Sequence, residues 1–142
     1  MKEPEYYKLT YTLTLYVAEA LSRLNPDMVF CYVSGGSTDS TEKGRVMWAR
    51  VKGKTENDLM KLPFKKVFNF RPGYMHPTKG LKNVLPYYKY ITWLYPIFKI
   101  ILPNMVSTLA ELGLAMINVT LFGYGKQILE VKDIKVVAHL EG

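Results

Sequence analysis

Apolar residues recur at Leu9, Leu13, Tyr16, Val17, Ala20, Leu21 and Leu24, the spacing of one face of a helix, until Asn25-Pro26 stops the pattern. An amphipathic helix is predicted there. Met28–Val33 follows as an unbroken apolar run, M-V-F-C-Y-V, closed by Ser34-Gly35-Gly36. Such a run suits a strand buried on both faces, the condition of a parallel sheet. Ser37 to Lys43 is polar and reads as a loop. Arg45 to Leu62 has helical periodicity, with Trp48, Val51, Thr55, Leu59 and Leu62 as its inner stripe and Lys54, Asn57, Asp58 and Lys61 facing out; Pro63 ends it. Lys66–Phe70 is a second strand, terminated by Arg71-Pro72-Gly73.

Helix, strand, helix, strand with short connections predicts crossover units of a parallel sheet. Right-handed crossovers put the loops at Ser34–Lys43 and Arg71–Gly80 on one edge of that sheet, where open α/β sheets bind ligands. Beyond this the pattern is less regular. Pro77, Pro86, Pro96 and Pro103 divide Tyr74–Asn104 into pieces that read as two brief helices. Thr108 and Glu111 form a capping box for a helix to about Asn118, with Leu109, Leu112, Met116 and Val119 inward. Gln127–Val131 reads as a last short strand and Asp133–Leu140 as a last helical turn or two. The expected fold class is α/β: a partial Rossmann-like parallel sheet of about three strands with flanking helices and a mostly helical C-terminal region. Residues 1–142 are read as a single domain.

Composition changes this picture little, since 49% apolar and 22% charged residues are ordinary for a globular chain. Charge adds more. Of a net +7, much lies between Lys43 and Lys82, where eleven Lys and Arg face only Glu56 and Asp58. That block reads first as a solvated face and second as a phosphate receiver; no nucleic-acid-binding signature accompanies it, so no nucleic-acid partner is expected. The single cysteine, Cys31, excludes an internal disulfide and reads as a buried small hydrophobe. His76 and His139 are far apart, His139 is expected in solvent, and no metal site is predicted. Ile91–Leu102 is the most apolar stretch, yet it is too short for a membrane span and holds Pro96 and Lys99. A core or interface helix is expected there. Met1–Glu5 does not read as a signal peptide, and the cytoplasm is the expected location.

The candidate chemistry sits at the sheet edge. Ser34 ends the first strand, Trp48 and Lys52 lie one turn apart on the next helix, and the second strand ends Arg71-Pro72-Gly73. A serine at a strand end, an aromatic-x-x-x-Lys helix and a strand ending R-P-G resemble the second half of short-chain dehydrogenases/reductases. The match is nearest the atypical and extended branch labelled NAD-dependent epimerase/dehydratase. Phe30–Ser34 (F-C-Y-V-S), Trp48–Asn57 (W-A-R-V-K-G-K-T-E-N) and Phe70–Gly73 (F-R-P-G) carry the resemblance.

The resemblance implies that Ser34 contacts substrate and that Lys52 anchors the nicotinamide ribose of NAD or NADP. It also implies that Arg71, Pro72 and Gly73 pass beside the cofactor. Position 48 would be the acid/base tyrosine, paired with Lys52 to lower a phenol pKa of about 10. Here it is Trp48, whose indole N–H donates a hydrogen bond but moves no proton. Tyr32 and Tyr74 stand near the strand ends as substitutes, while Trp48 itself reads as a core aromatic. The family's glycine-rich dinucleotide grip has no counterpart, because neither Gly35-Gly36 nor Gly123-Tyr124-Gly125-Lys126 has its form. By this resemblance the chain begins at the helix before the domain's fifth strand. The expected function is that of an NAD(P)-dependent epimerase, dehydratase or reductase-like protein contributing the substrate side for a small or nucleotide-linked substrate. The alternatives are a non-catalytic Rossmann-derived binding or interaction module, or a truncated half that self-associates or pairs with an upstream half-domain.

Overall fold

The computed structural model describes residues 1–76 and 106–140. The architecture is α/β, a three-stranded parallel sheet flanked by helices, as the sequence pattern predicts. The residues cluster into two compact units, Met1–Arg71 with Gly125–Ile128, and Pro72–Tyr124 with Leu129–Gly142.

The first unit opens on helical chain in three segments: α1 (Glu3–Tyr7), a π-helical turn (Lys8–Thr12) and α2 (Leu13–Leu24). Pro4 and the acids Glu3 and Glu5 suit its first turn, and extended backbone at Asn25 ahead of Pro26 ends it. Strand β1 (Val29–Val33), helix α3 (Met47–Leu59) and strand β2 (Lys66–Arg71) follow. The two strands pair in parallel from Val29 against Lys66 to Val33 against Phe70. The sheet is completed by β5 (Ile128–Glu130), in the order β1-β2-β5. β2 is therefore the central strand and is buried from Val67 to Arg71, whereas β1 is half-buried throughout. The expectation of a first strand buried on both faces is corrected: β1 is half-buried, and among the described residues it has a paired strand, β2, on one side only.

On one face of β1 and β2, Leu15 and Ala18 of α2, Leu59 of α3 and Val67 pack together, with Tyr11, Phe30, Tyr32, Met60, Leu62 and Phe64 around them. The helix does not use the stripe that its periodicity suggests. Leu9, Leu13, Tyr16, Val17 and Leu24 are exposed, while Leu15, Ala18 and Ser22 face inward. Apolar residues run most of the way round this helix, so two faces qualify by period alone. Ala18 and Ser22 bring the smallest side chains to the contact, and small side chains let a helix approach its neighbours closely.

The π-helical turn is tied to α3 through Asp58. Tyr11 donates its hydroxyl to Asp58 at 2.8 Å, and Lys54 and Lys61 reach the same carboxylate at 2.9 and 2.6 Å. Burial pushes the Asp58 carboxyl up, but hydrogen bonds from Lys61, Lys54 and Tyr11 outweigh it and hold the group at about 2. A folded pKa below the unfolded value of about 3.9 contributes stability above about pH 4 that is lost as pH falls through about 2. We expect Asp58→Asn to cost stability near neutrality and progressively less between those pH values, as read by urea unfolding. An equal cost at pH 6 and pH 2 would contradict the assignment.

In the second unit, β3 (Tyr74–His76) and β4 (Val106–Thr108) pair in parallel, Tyr74 against Val106. Neither strand was legible in the sequence. Helix α4 (Leu109–Phe122) starts on the expected box: Thr108 Oγ1 accepts from the Glu111 amide at 3.1 Å, and Glu111 Oε2 accepts from the Thr108 amide at 2.7 Å. It ends at Gly123, whose φ of 74° is one that glycine adopts without strain. Leu112, Ala115 and Val119 pack with Ile134 and Val137 of α5 (Val131–Ala138), but Leu109, expected inward, is exposed in the first turn. His139 is exposed, as expected. The two brief helices expected within Tyr74–Asn104, and the apolar stretch Ile91–Leu102, lie almost wholly or wholly outside the described residues. Among the described residues no helix is long and apolar enough to cross a membrane.

Candidate functional site

Parallel pairing brings the carboxyl ends of β1 and β2 together, and the Ser34 amide continues the ladder by donating to the Phe70 carbonyl at 2.8 Å. The chain then loops back over α3. That path needs a small helix face. At Gly53 a Cβ would lie 1.8 Å from the Asp39 carbonyl oxygen, so the loop backbone rests directly on the helix. Further bonds hold it there. The Asp39 amide donates to the Ala49 carbonyl at 3.1 Å, and Asn57 Nδ2 donates to the Ser40 carbonyl at 3.0 Å and to Glu42 at 2.7 Å. The Asp39 carboxylate closes the turn by accepting from the amides of Thr41 and Gly44; the Thr41 hydroxyl bond first, then these amide bonds, keep it below the usual carboxylate range.

Below the loop lies a buried polar chain centred on Glu56, whose side chain is wholly enclosed. Arg71 donates to it from Nε at 3.1 and 3.2 Å and from Nη2, and Nη2 also reaches the Ser40 hydroxyl. The Ser34 hydroxyl lies against Glu56 Oε1, with the Phe70 carbonyl at 3.2 Å. A hydroxyl has one proton, and an ionised carboxylate is the stronger acceptor. One carboxylate thus fastens both strand ends, helix α3 and the β1–α3 loop.

Lys52 stands one turn before Glu56. Its amine donates to the Ser34 backbone carbonyl at 2.5 Å and is half-buried. Burial pushes the Lys52 pKa down, and the Glu56 carboxylate opposes that shift. An ammonium has three protons, so this bond leaves Lys52 donor capacity. Trp48, another turn back, is 37% exposed and lays its ring against Gly35. The reading of Trp48 as a core aromatic is corrected: its contact at Gly35 lies past the end of β1, where the strand no longer covers the first turn of α3.

The structure therefore brings Ser34, Lys52 and Arg71 into one cluster and sorts them. The Ser34 hydroxyl and the Arg71 guanidinium turn inward to Glu56, whereas Lys52 and Trp48 stand at the rim. Pro72, buried, and Gly73, half-buried, follow Arg71 at the start of the second unit. At Tyr32, burial drives the phenol up to about 12, with the Thr55 hydroxyl bond pulling the other way. The side chains of Tyr74 and His76 lie outside the described ones. Cys31, expected buried, is half-buried on the edge strand.

Two polar residues escaped the sequence reading. Glu56 had a signal, being four residues past Lys52 and one of only two acids in the positive block. Asn69 had none. It is fully enclosed on central strand β2, and neither polar atom of its amide has a hydrogen-bond partner among the described residues. Such a group costs about 1–3 kcal/mol of desolvation. We expect the near-isosteric Asn69→Leu to raise stability by about 1 kcal/mol in urea unfolding. A loss of stability would mean that the amide is satisfied in solution and that its polarity is needed.

No family model and no curated protein matches the chain.

Proposed function

We propose that the chain supplies the substrate side of an NAD(P)-dependent epimerase, dehydratase or reductase-like protein, with Lys52 as the donor to the cofactor's ribose. The observation that carries this reading is the Lys52 amine, half-buried and bonded to the Ser34 carbonyl at the carboxyl end of β1. Ligands of open α/β sheets bind at such ends, and an amine already oriented by one acceptor presents its other protons in a fixed direction. The residues present fit a ribose. Lys52 would donate to its hydroxyls, and the exposed Trp48 ring offers a flat apolar wall. NAD(P) would supply hydride chemistry; this chain's part is to bind and orient.

Proton transfer has less support. Trp48 has no exchangeable acid at neutral pH, and the Ser34 hydroxyl is committed to Glu56. These two observations favour the second reading, a Rossmann-derived module that binds a nucleotide-linked small molecule without transforming it.

Calorimetric titration of NAD+, NADH, NADP+ and NADPH into the chain, as wild type and as Lys52→Met, tests the binding claim. A charge-assisted hydrogen bond contributes about 1.5–3 kcal/mol, so the variant should bind about tenfold to a hundredfold more weakly. Equal affinity in the two proteins would remove Lys52 from the site. Heat without turnover, across candidate sugar-nucleotide substrates, would favour the binding module.

A further inference from the structure

The face of α2 and of the π-helical turn before it that does not pack inward is itself apolar. Leu9, Leu13, Tyr16, Val17 and Leu24 are 55, 54, 73, 44 and 83% exposed, and Ala20 lies exposed among them. Contiguous apolar surface of this kind marks an interaction site more often than single exposed residues do. Its arrangement also specifies the occupant. We propose that this face pairs with the same face of a second copy of the chain, antiparallel about a two-fold axis between Tyr16 and Val17.

Under that symmetry Leu9 meets Leu24, Leu13 meets Ala20, and Tyr16 meets Val17, so every apolar position faces an apolar one. The flanks match as well. Glu19 falls opposite Thr14 and Arg23 opposite Thr10, so no like charges are brought together in a chain whose net charge is +7. Glu19 and Arg23 are i and i+4 neighbours 4.0 Å apart, which already balances the only charges between Leu9 and Leu24. Residues 9 to 24 span about 24 Å of helix. A contact of that length supplies the apolar centre of a patch of the roughly 800 Å² per partner that stable dimers bury.

The test is sedimentation equilibrium of the 142-residue chain from about 5 to 200 µM, beside Leu13→Glu/Val17→Lys, with circular dichroism to confirm the fold. The wild type should run as a dimer and the variant as a folded monomer, its dissociation constant raised at least a hundredfold. In a Cys31→Ser background, chains carrying Leu13→Cys should cross-link to chains carrying Ala20→Cys several times faster than to their own kind. A monomeric wild type at 200 µM would overturn the proposal. So would a dimer that survives the α2 changes but dissolves on Ile117→Lys, which alters the exposed face of α4 instead.

Discussion

Glu56→Gln will destabilise the protein by about 3–5 kcal/mol, the cost typical of breaking a buried ion pair by removing one partner. The Glu56 side chain has no exposure and the Arg71 side chain only 10%. Without the carboxylate, the largely buried guanidinium loses the opposite charge it donates to, and the Ser34 hydroxyl exchanges a charged acceptor for a neutral amide or the Phe70 carbonyl. Arg71→Met should cost a similar amount, leaving a buried carboxylate without its guanidinium partner. The double variant Glu56→Leu/Arg71→Met should be far less damaged than the sum, because it removes both charges together. Urea midpoints for the four proteins test this. A Glu56→Gln midpoint within error of wild type would mean that water reaches the pair and that it does not fasten the strand ends.

Gly53→Ala carries the second large effect. A Cβ there meets the Asp39 carbonyl carbon at 2.5 Å as well as its oxygen at 1.8 Å, and both are backbone atoms that no rotamer change can move. The β1–α3 loop must lift, taking with it the bonds from Asp39 to Ala49 and from Asn57 to Ser40. Overpacking of this sort costs typically 1–3 kcal/mol, and here the helix-propensity gain of Gly→Ala, about 1 kcal/mol, is overwhelmed. Gly113→Ala is the internal control. Gly113 is also within a helix, but nothing lies within 4 Å of its added methyl, so that change should stabilise the protein. If both glycines respond alike to alanine, the loop does not lie on α3 as described.

The parallel sheet was legible because its two determinants are local: period-free apolar runs for the strands and turn residues directly after them. The grouping of Ser34, Lys52 and Arg71 was legible in part, since Ser34 and Arg71 sit at strand ends and Lys52 lies on the helix between those strands. What the sequence concealed depends on choices between near-equal faces. The first helix is apolar on two sides, and only the small Ala18 and Ser22 distinguish the packed one. Trp48 belongs by period to the buried stripe of α3, but a helix that starts past the strand end leaves its first turn uncovered. Glu56 hid among polar neighbours because burial of a carboxylate on α3 is intelligible only once Arg71, at the end of β2, is known to meet it. Asn69 remains without a physical account in either the sequence or the fold.

In the proposed function, the rim formed by Lys52, Trp48 and Gly35 receives the ribose end of a nicotinamide nucleotide. Amide and indole proton–nitrogen spectra of the 15N-labelled chain, recorded through a titration with NAD+, read that rim directly. Saturable shifts are expected, centred on Gly35, Gly36, Lys52 and the Trp48 indole, with the interior amides of β2 little changed. Shifts confined to other residues, or none at millimolar nucleotide, would contradict it.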